Sequence, residues 1–259
     1  MPRGMKVLVT GASGRIGQAF REAYRDYYSL RLIEHRNPVH ASSNEEVVSA
    51  DITDFQSILK AMRGIEAVVH LAADPRVSAP WDSILKLNII GTYNVFESAR
   101  LSGVKKIVFA SSNHACGYAV REFDLIGPDA PIRPDSLYGV SKIFGEALGR
   151  YYSDRFGISV ICLRIGACHE PTVFFKRVLS SGGKSWYPPE KYIAMWISRR
   201  DMAQLIHKSL EANLKFGIFY GTSNNERKIF NLSSAEEKLG YKPQDRAEAV
   251  SYTHLTLPT

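Results

Sequence analysis

Lys6-Val7-Leu8-Val9-Thr10-Gly11-Ala12-Ser13-Gly14-Arg15-Ile16-Gly17 is the stretch on which the fold turns. A short β-rich run, Lys6 to Val9, ends in a turn with three glycines, and apolar residues follow at helical spacing: Ile16, Phe20, Tyr24 and Tyr27. Glycines at a strand-to-helix turn let the backbone bend tightly and approach a pyrophosphate, while free N–H groups and the positive end of the helix dipole face the anion. Such a turn between strand and helix, followed by an acid at the end of the next apolar run, is the signature of a dinucleotide site.

That acid is Glu34. A carboxylate there accepts hydrogen bonds from both hydroxyls of an adenosine ribose and repels a 2′-phosphate, so NAD is the expected cofactor. Arg36 follows closely and is a residue type that grips a 2′-phosphate, which leaves NADP as the alternative. Gly11, Ser13, Gly14, Arg15, Ile16 and Gly17 would cradle the pyrophosphate, Asp51 and Ile52 past the third strand would meet the adenine, and Leu71-Ala72-Ala73 would form a small-residue floor.

Outward from the turn, further apolar runs recur at Leu30 to Ile33, Ala67 to Leu71, Lys106 to Ala110 and Val160 to Ile165, with helical patterns between them. Continuous runs, rather than apolar-polar alternation, belong to strands covered on both faces. Strand-helix-strand repetition implies right-handed crossovers and a doubly wound parallel sheet, an α/β fold of the Rossmann type with helices on both faces. Residues 1–170 read as the cofactor-binding core with the catalytic residues, and 171–250 as a small substrate-binding or lid region that completes the fold. Pro171 to Lys191, with Ser180-Ser181-Gly182-Gly183 and Pro188-Pro189, shows no clear period and is expected to be a loop or lid over the strand ends. Asp201 to Leu210 is helical in pattern, Gly217 to Tyr220 reads as a late strand, and 251–259 as a disordered tail.

The 259 residues are 45% hydrophobic and 23% charged, enough to bury a full core. No apolar run is long enough to span a membrane and no signal-peptide core follows the N-terminus, so a cytoplasmic protein is expected. Cys116, Cys162 and Cys168 have no metal-ligand spacing, and their odd number argues against a disulfide framework. No metal is expected. The net charge of +7 comes without a Lys/Arg block or an aromatic-basic pattern, which favours anionic small molecules over nucleic acid.

Tyr138 and Lys142 lie four apart in a helical pattern and would share one face. A phenol with a pKa of about 10 serves as a base near neutral pH only where cations favour the phenolate; the Lys142 ammonium and an oxidised nicotinamide would do so. Tyr138 would then take the proton of a substrate hydroxyl, and Ser112, at the end of the preceding strand, would hold the same oxygen. Tyr187 and Lys191 repeat the spacing, but Pro188 and Pro189 between them oppose a helix that would make them a pair.

The order of Thr10 to Gly17, His70-Leu71-Ala72-Ala73, Asn88-Ile89-Ile90-Gly91-Thr92, Ser111-Ser112 and Tyr138-Gly139-Val140-Ser141-Lys142 resembles the extended short-chain dehydrogenases, the NAD-dependent epimerase/dehydratase branch. The resemblance covers roughly residues 5 to 170. It implies that Asn88 belongs to the catalytic set, holding a helix irregularity and a water that links the lysine to solvent. Ser111 to His114, Gly117-Tyr118, Gly127-Pro128-Asp129, Arg133-Pro134-Asp135 and Phe144-Gly145-Glu146 look like one subgroup, the uronate dehydrogenases. In that subgroup the anomeric carbon of glucuronate or galacturonate is oxidised to a lactone with NAD, and Asn113 and His114 would reach the sugar hydroxyls. The arginine that binds the sugar carboxylate there has no clear counterpart; Lys191 and Arg177 are the candidates, and a lysine cannot supply the planar clamp. Lys176, Arg177, Lys184 and Lys191 together would instead suit a sugar phosphate, or simply solvate a loop.

The short stretch after Arg164-Ile165-Gly166 favours a monosaccharide over a nucleotide sugar. A nucleotide-sugar epimerase or dehydratase is the enzyme alternative, and a non-catalytic dinucleotide-binding protein the second. The resemblance is compatible with a homo-oligomer, for which the residues give no independent signal.

Overall fold

The computed structural model describes residues 4–180 and 187–249, without the side chains of Lys176, Arg177, Leu179 and Ser180. Its apolar runs form strands because helices cover both sides of each. Strands β1 (Lys6–Thr10), β2 (Ser29–Glu34), β3 (Glu45–Ser49), β4 (Ala67–His70), β5 (Lys106–Ser112), β6 (Ser159–Ile165) and β7 (Phe216–Gly221) make one parallel sheet. Their spatial order is β3-β2-β1-β4-β5-β6-β7. The chain winds outward from β1 in one direction as far as β3, then returns to β4 on the other side. That reversal opens a crevice at the carboxyl ends of β1 and β4, where doubly wound sheets bind their ligands.

Helices α1 (Arg15–Tyr24), α2 (Phe55–Ala61), α3 (Trp81–Ser83), α4 (Gly91–Leu101), α5 (Ala119–Glu122) and α6 (Leu137–Phe156) precede β6. Helices α7 (Pro171–Ser180), α8 (Pro189–Ala194), α9 (Arg199–Glu211) and α10 (Ser233–Leu239) follow it. One face of the sheet buries Phe20 of α1 with Leu205, Ile206 and Leu210 of α9. The other buries Ile58 of α2, Phe96 of α4 and Tyr152 of α6 around Phe109. Each fully buried large apolar side chain contributes about 1.5–3 kcal/mol, so both layers fix the strand ends that carry the site.

The segment expected to be a loop, Pro171 to Lys191, instead holds all of α7 and the start of α8. Phe174, Phe175 and Val178 fall on one face of α7 and pack with Trp196 and Ala247 in a small separate core. Pro189 occupies the first turn of α8, where a missing N–H costs nothing, so the prolines open a helix there. Strand β7 pairs with β6 along its whole length, which makes the later part of the chain a continuation of the same sheet. Lys184 and residues 251–259 lie outside the described residues. No helix among the described residues is long and apolar enough to cross a membrane.

Candidate active site

The glycine turn sits at the mouth of the crevice. Gly11 has φ +70°, a left-handed conformation that favours glycine, and an added Cβ would stand 2.8 Å from the Ala72 nitrogen. At Gly17 an added Cβ would lie 2.8 Å from the Ala12 Cα, so α1 is packed tightly onto its own turn. No side chain caps the N-terminus of α1, whose first turn also carries no acid. Its free N–H groups therefore remain donors for an anion.

The floor of the crevice is fixed from below. Thr10 Oγ1 accepts hydrogen bonds from the Leu71 and Ala72 nitrogens at 3.1 and 3.2 Å, which leaves its own proton for His70 Nδ1 at 2.7 Å. His70 Nε2 then donates to Thr92 Oγ1 at 3.2 Å. Burial, aided by the Lys142 charge, pushes the His70 pKa down to about 3, so the ring is a neutral strut between the turn and α4.

Glu34 ends β2 with one carboxylate oxygen, Oε2, accepting from the Val39 nitrogen at 2.6 Å. Asp51 accepts from the Thr53 nitrogen at 2.8 Å and faces His35 at 3.3 Å. Burial works to raise the Asp51 carboxyl, but the Thr53 hydrogen bonds and the nearby His35 and Arg36 outweigh it and hold it below its ordinary value. Arg15 departs from its expected place over the pyrophosphate: its Nη1 bonds the Cys168 carbonyl at 2.7 Å and His169 Nδ1 at 2.8 Å, tying the turn to the loop after β6.

At the carboxyl end of β5, Ser112 meets the first turn of α6. Ser136 caps that helix by accepting from the Gly139 nitrogen at 3.0 Å, which places Tyr138 in the first turn and Lys142 one turn later. Ser112 stands beside the Tyr138 hydroxyl and works to lower its pKa. The Lys142 ammonium is buried, donates to the Ala110 carbonyl at 2.9 Å and stands 5.4 Å from the centre of the Tyr138 ring. Burial pushes Lys142 down to about 8 and Tyr138 up to about 12, with Asp74 adding to the second shift and Ser112 opposing it. In the chain by itself burial outweighs the field of the ammonium, because loss of hydration favours the neutral form of both groups.

Asn88 lies in a π-helical segment, Ile84–Ile90, between α3 and α4. Its Oδ1 accepts from the Asp74 nitrogen at 2.8 Å, and its Nδ2 donates to the Asp74 carbonyl and to Ser141 Oγ, both at 3.1 Å. Ser141 in turn donates to the Tyr138 carbonyl at 2.7 Å. Asn88 therefore clamps the loop after β4 to the turn of α6 that lies between tyrosine and lysine. Asp74 itself is buried and receives Arg76 through two nitrogens, at 3.0 and 2.6 Å, and Ser83 at 2.6 Å. The Arg76 hydrogen bonds hold its carboxyl well below the usual range.

On the substrate side, Asn113 is buried, accepts from Ser112 and donates to the Met195 sulfur at 3.3 Å. The His114 ring packs edge-on against Tyr138, 5.8 Å between centres, and its Nδ1 bonds both oxygens of Asp135. Lys191 is not brought into this group: its ammonium donates to the Val120 carbonyl at 2.7 Å. Tyr187 goes to the same region, bonding the Gly117 carbonyl at 2.8 Å and Asp135 at 2.9 Å. Arg177 lies on α7, and its side chain is outside the described residues.

Behind the site, Arg164 and Glu146 form a buried bidentate pair at 2.9 Å, which Ser111 joins at 2.6 Å and the Pro128 carbonyl at 3.1 Å. The pair ties β5, β6 and α6 together. Its sequence signal was a charge inside an otherwise apolar strand, Val160 to Ile165, which calls for a buried partner. Asp74 carried no comparable signal, and Asp135 entered only within the Arg133-Pro134-Asp135 stretch of the resemblance. The three cysteines are free and buried, and no group of metal-ligating residues occurs among the described residues.

A family model described as the NAD dependent epimerase/dehydratase family matches residues 7–172. Over 95% of both chains, the sequence is 41% identical to an NAD-dependent glucose-6-phosphate dehydrogenase of Haloferax volcanii. It is 38% identical to a uronate dehydrogenase of Agrobacterium fabrum, over 98% of this chain and 89% of that one. The crystal structure of uronate dehydrogenase from Agrobacterium tumefaciens superposes with a TM-score of 0.82 at 37% identity, covering 98% of this chain and 90% of that one.

Proposed function

The chain belongs to the NAD-dependent epimerase/dehydratase family, and from that premise we propose that it oxidises the anomeric carbon of a hexuronate, or a related aldose, to a lactone. The observation that carries this reading is the convergence of Ser112, Tyr138 and Lys142 at the carboxyl end of β5, beside a glycine turn that fits a dinucleotide. The fit rests on the cradle: an added Cβ at Gly14 would meet only the Gly11 oxygen, at 3.2 Å, within 4 Å, so the space above the uncapped α1 is open. Backbone donors from Ser13 to Gly17 would hold the pyrophosphate, Glu34 the ribose, and Asp51 with Ile52 the adenine.

Bound NAD supplies the hydride acceptor and a positive charge close to the phenol. Tyr138 takes the proton from the C1 hydroxyl, and Ser112 holds that oxygen in line by a hydrogen bond. Lys142 stabilises the phenolate by its charge, which is little screened in a buried setting. Asn88 keeps Tyr138 and Lys142 in register through Ser141. Asn113 and His114 bind the sugar hydroxyls. Residues 1–170 carry the cofactor and catalytic groups, and 171–250 supply the substrate-facing wall. Within this reading the chain acts in the cytoplasm on a free small-molecule sugar.

A second reading, oxidation of a hexose 6-phosphate, is favoured by the 41% identity to the Haloferax volcanii enzyme. Both substrates carry an anion on C6, and a phosphate tolerates point charges where a planar carboxylate prefers an arginine fork. The deciding experiment offers glucuronate, galacturonate, glucose 6-phosphate and neutral aldoses with NAD and follows formation of NADH. Reduction with a hexuronate supports the first reading, reduction with glucose 6-phosphate alone replaces it with the second, and none with any sugar overturns both.

A further inference from the structure

We propose that Asp135 is a positioning residue for His114, holding the imidazole proton on Nδ1 so that Nε2 accepts a hydrogen bond from a hydroxyl of the sugar; this rests on the sugar-dehydrogenase reading above. His114 Nδ1 lies 2.9 and 2.8 Å from the two oxygens of Asp135. An ionised carboxylate only accepts, so the nitrogen facing it must carry the proton. In the neutral ring the other nitrogen, Nε2, is then an acceptor, and the edge-on packing of the ring on Tyr138 sets the imidazole beside the catalytic group.

The carboxylate is itself fixed from three sides. Besides His114, it receives Ser136 Oγ at 2.9 Å and the Tyr187 hydroxyl at 2.9 Å, and its side chain is 5% exposed. Burial works to raise the Asp135 carboxyl, but these hydrogen bonds, with attraction to the His114 ring, outweigh it and hold the group below its ordinary value. Tyr187 also reaches the Gly117 carbonyl, and Lys191 the Val120 carbonyl, so the tyrosine and lysine that mimic the catalytic spacing dock their segment onto the turn that follows His114. Their place in the enzyme is to support the histidine, one step removed from the reacting atoms. An acceptor at Nε2 selects substrates that present a hydroxyl at that point, because an analogue without it leaves the nitrogen unpaired.

The test has two parts. Nitrogen-15 NMR of histidine-labelled wild-type protein reads the tautomer directly: the expected spectrum shows the neutral ring protonated on Nδ1, and an Nε2-protonated ring overturns the proposal whatever the substrate proves to be. Kinetics on the sugar that the wild type oxidises then compare it with Asp135→Asn. The expected change is a KM raised about tenfold or more, with kcat within about threefold and NAD affinity unchanged. Within a monodeoxy series of that sugar, one analogue costs the wild type about tenfold and costs the variant little. A wild-type KM in Asp135→Asn overturns the proposal. Should that variant not fold, Tyr187→Phe removes one partner of the carboxylate and is expected to raise KM in the same direction; no rise overturns the proposal. Failure of the functional reading looks different, since it leaves the wild type without NADH formation on any sugar.

Discussion

The Lys142 ammonium stands 5.4 Å from the centre of the Tyr138 ring while donating a 2.9 Å hydrogen bond to the Ala110 carbonyl. Both groups are driven toward neutrality by burial, Lys142 to about 8 and Tyr138 to about 12. As a coupled pair they lose their first proton near pH 8, and the productive form, phenolate beside ammonium, contains as many protons as neutral phenol beside neutral amine. The ready fraction therefore rises about tenfold per pH unit below pH 8 and levels off above it. Measured at limiting NAD, which reports the free enzyme, kcat/KM is expected to follow that curve. In Lys142→Met the rise should continue past pH 8, since only the phenol then titrates; an unchanged plateau would remove the lysine from the proton chemistry.

Asp74 contributes to the high pKa of Tyr138 from the loop after β4. Replacing it by Asn removes a negative charge and leaves Arg76 uncompensated, and both changes favour the phenolate. In Asp74→Asn the whole of the same profile should rise, with its bend staying near pH 8, because the phenolate share of the singly deprotonated pair grows. A lowered profile would show that the loop rearranges instead.

Glu34 directs one oxygen to the Val39 nitrogen, which holds the carboxylate at the end of β2 where an adenosine ribose lies in this fold. Glu34→Ala should lower kcat/KM with NAD by about tenfold and raise it with NADP, because repulsion of the 2′-phosphate is lost. Steady-state kinetics with both cofactors check this, and an unaltered cofactor ratio would contradict it.

His70 is neutral in the folded chain with its pKa pushed down to about 3, against 6.5 for an unperturbed histidine. As pH falls through 6.5 the unfolded chain takes up the proton and the folded chain does not, so stability is lost from there downward. Between pH 6.5 and 5 the loss from this residue is about 1.6 kcal/mol. Urea unfolding should show a wild-type midpoint that falls over this range more steeply than that of His70→Gln.

Glu146 and Arg164 form the buried pair behind the site, each 3% exposed or less. Arg164→Met leaves a carboxylate buried without its counter-charge and should cost about 3–5 kcal/mol in chemical denaturation. The double variant Glu146→Leu/Arg164→Met should be more stable than that single one, since no orphaned charge remains.

The legibility of the fold followed the length of each pattern. The strands at Lys6, Leu30, Ala67, Lys106 and Val160 were evident because continuous apolar runs admit few other structures, whereas β3, a half-exposed edge strand with Glu45 and Glu46, offers no such run. Helix α7 was hidden, since Phe174, Phe175 and Val178 mark one face over barely three turns between Pro171 and a Ser-Gly stretch, too short a window for the period to emerge. Tyr138, Lys142, Ser112 and Asn88 were legible through spacing and resemblance, and the structure gathers them around one helix turn. Lys191 was misplaced because sequence gives the charge of a side chain but not its direction; its ammonium goes to a backbone carbonyl on the neighbouring turn. Asp74 and Asp135 act through partners distant in the chain or set by loop geometry, which no local pattern encodes.

The proton role of Tyr138 is tested most directly by comparing the wild type with Tyr138→Phe in two measurements on the same samples, NADH formation from the preferred sugar and NAD binding by fluorescence. The expected result is a loss of about 10²–10⁴-fold in kcat/KM with NAD affinity nearly intact. Turnover within about tenfold of the wild type would contradict it and assign the proton transfer to another group.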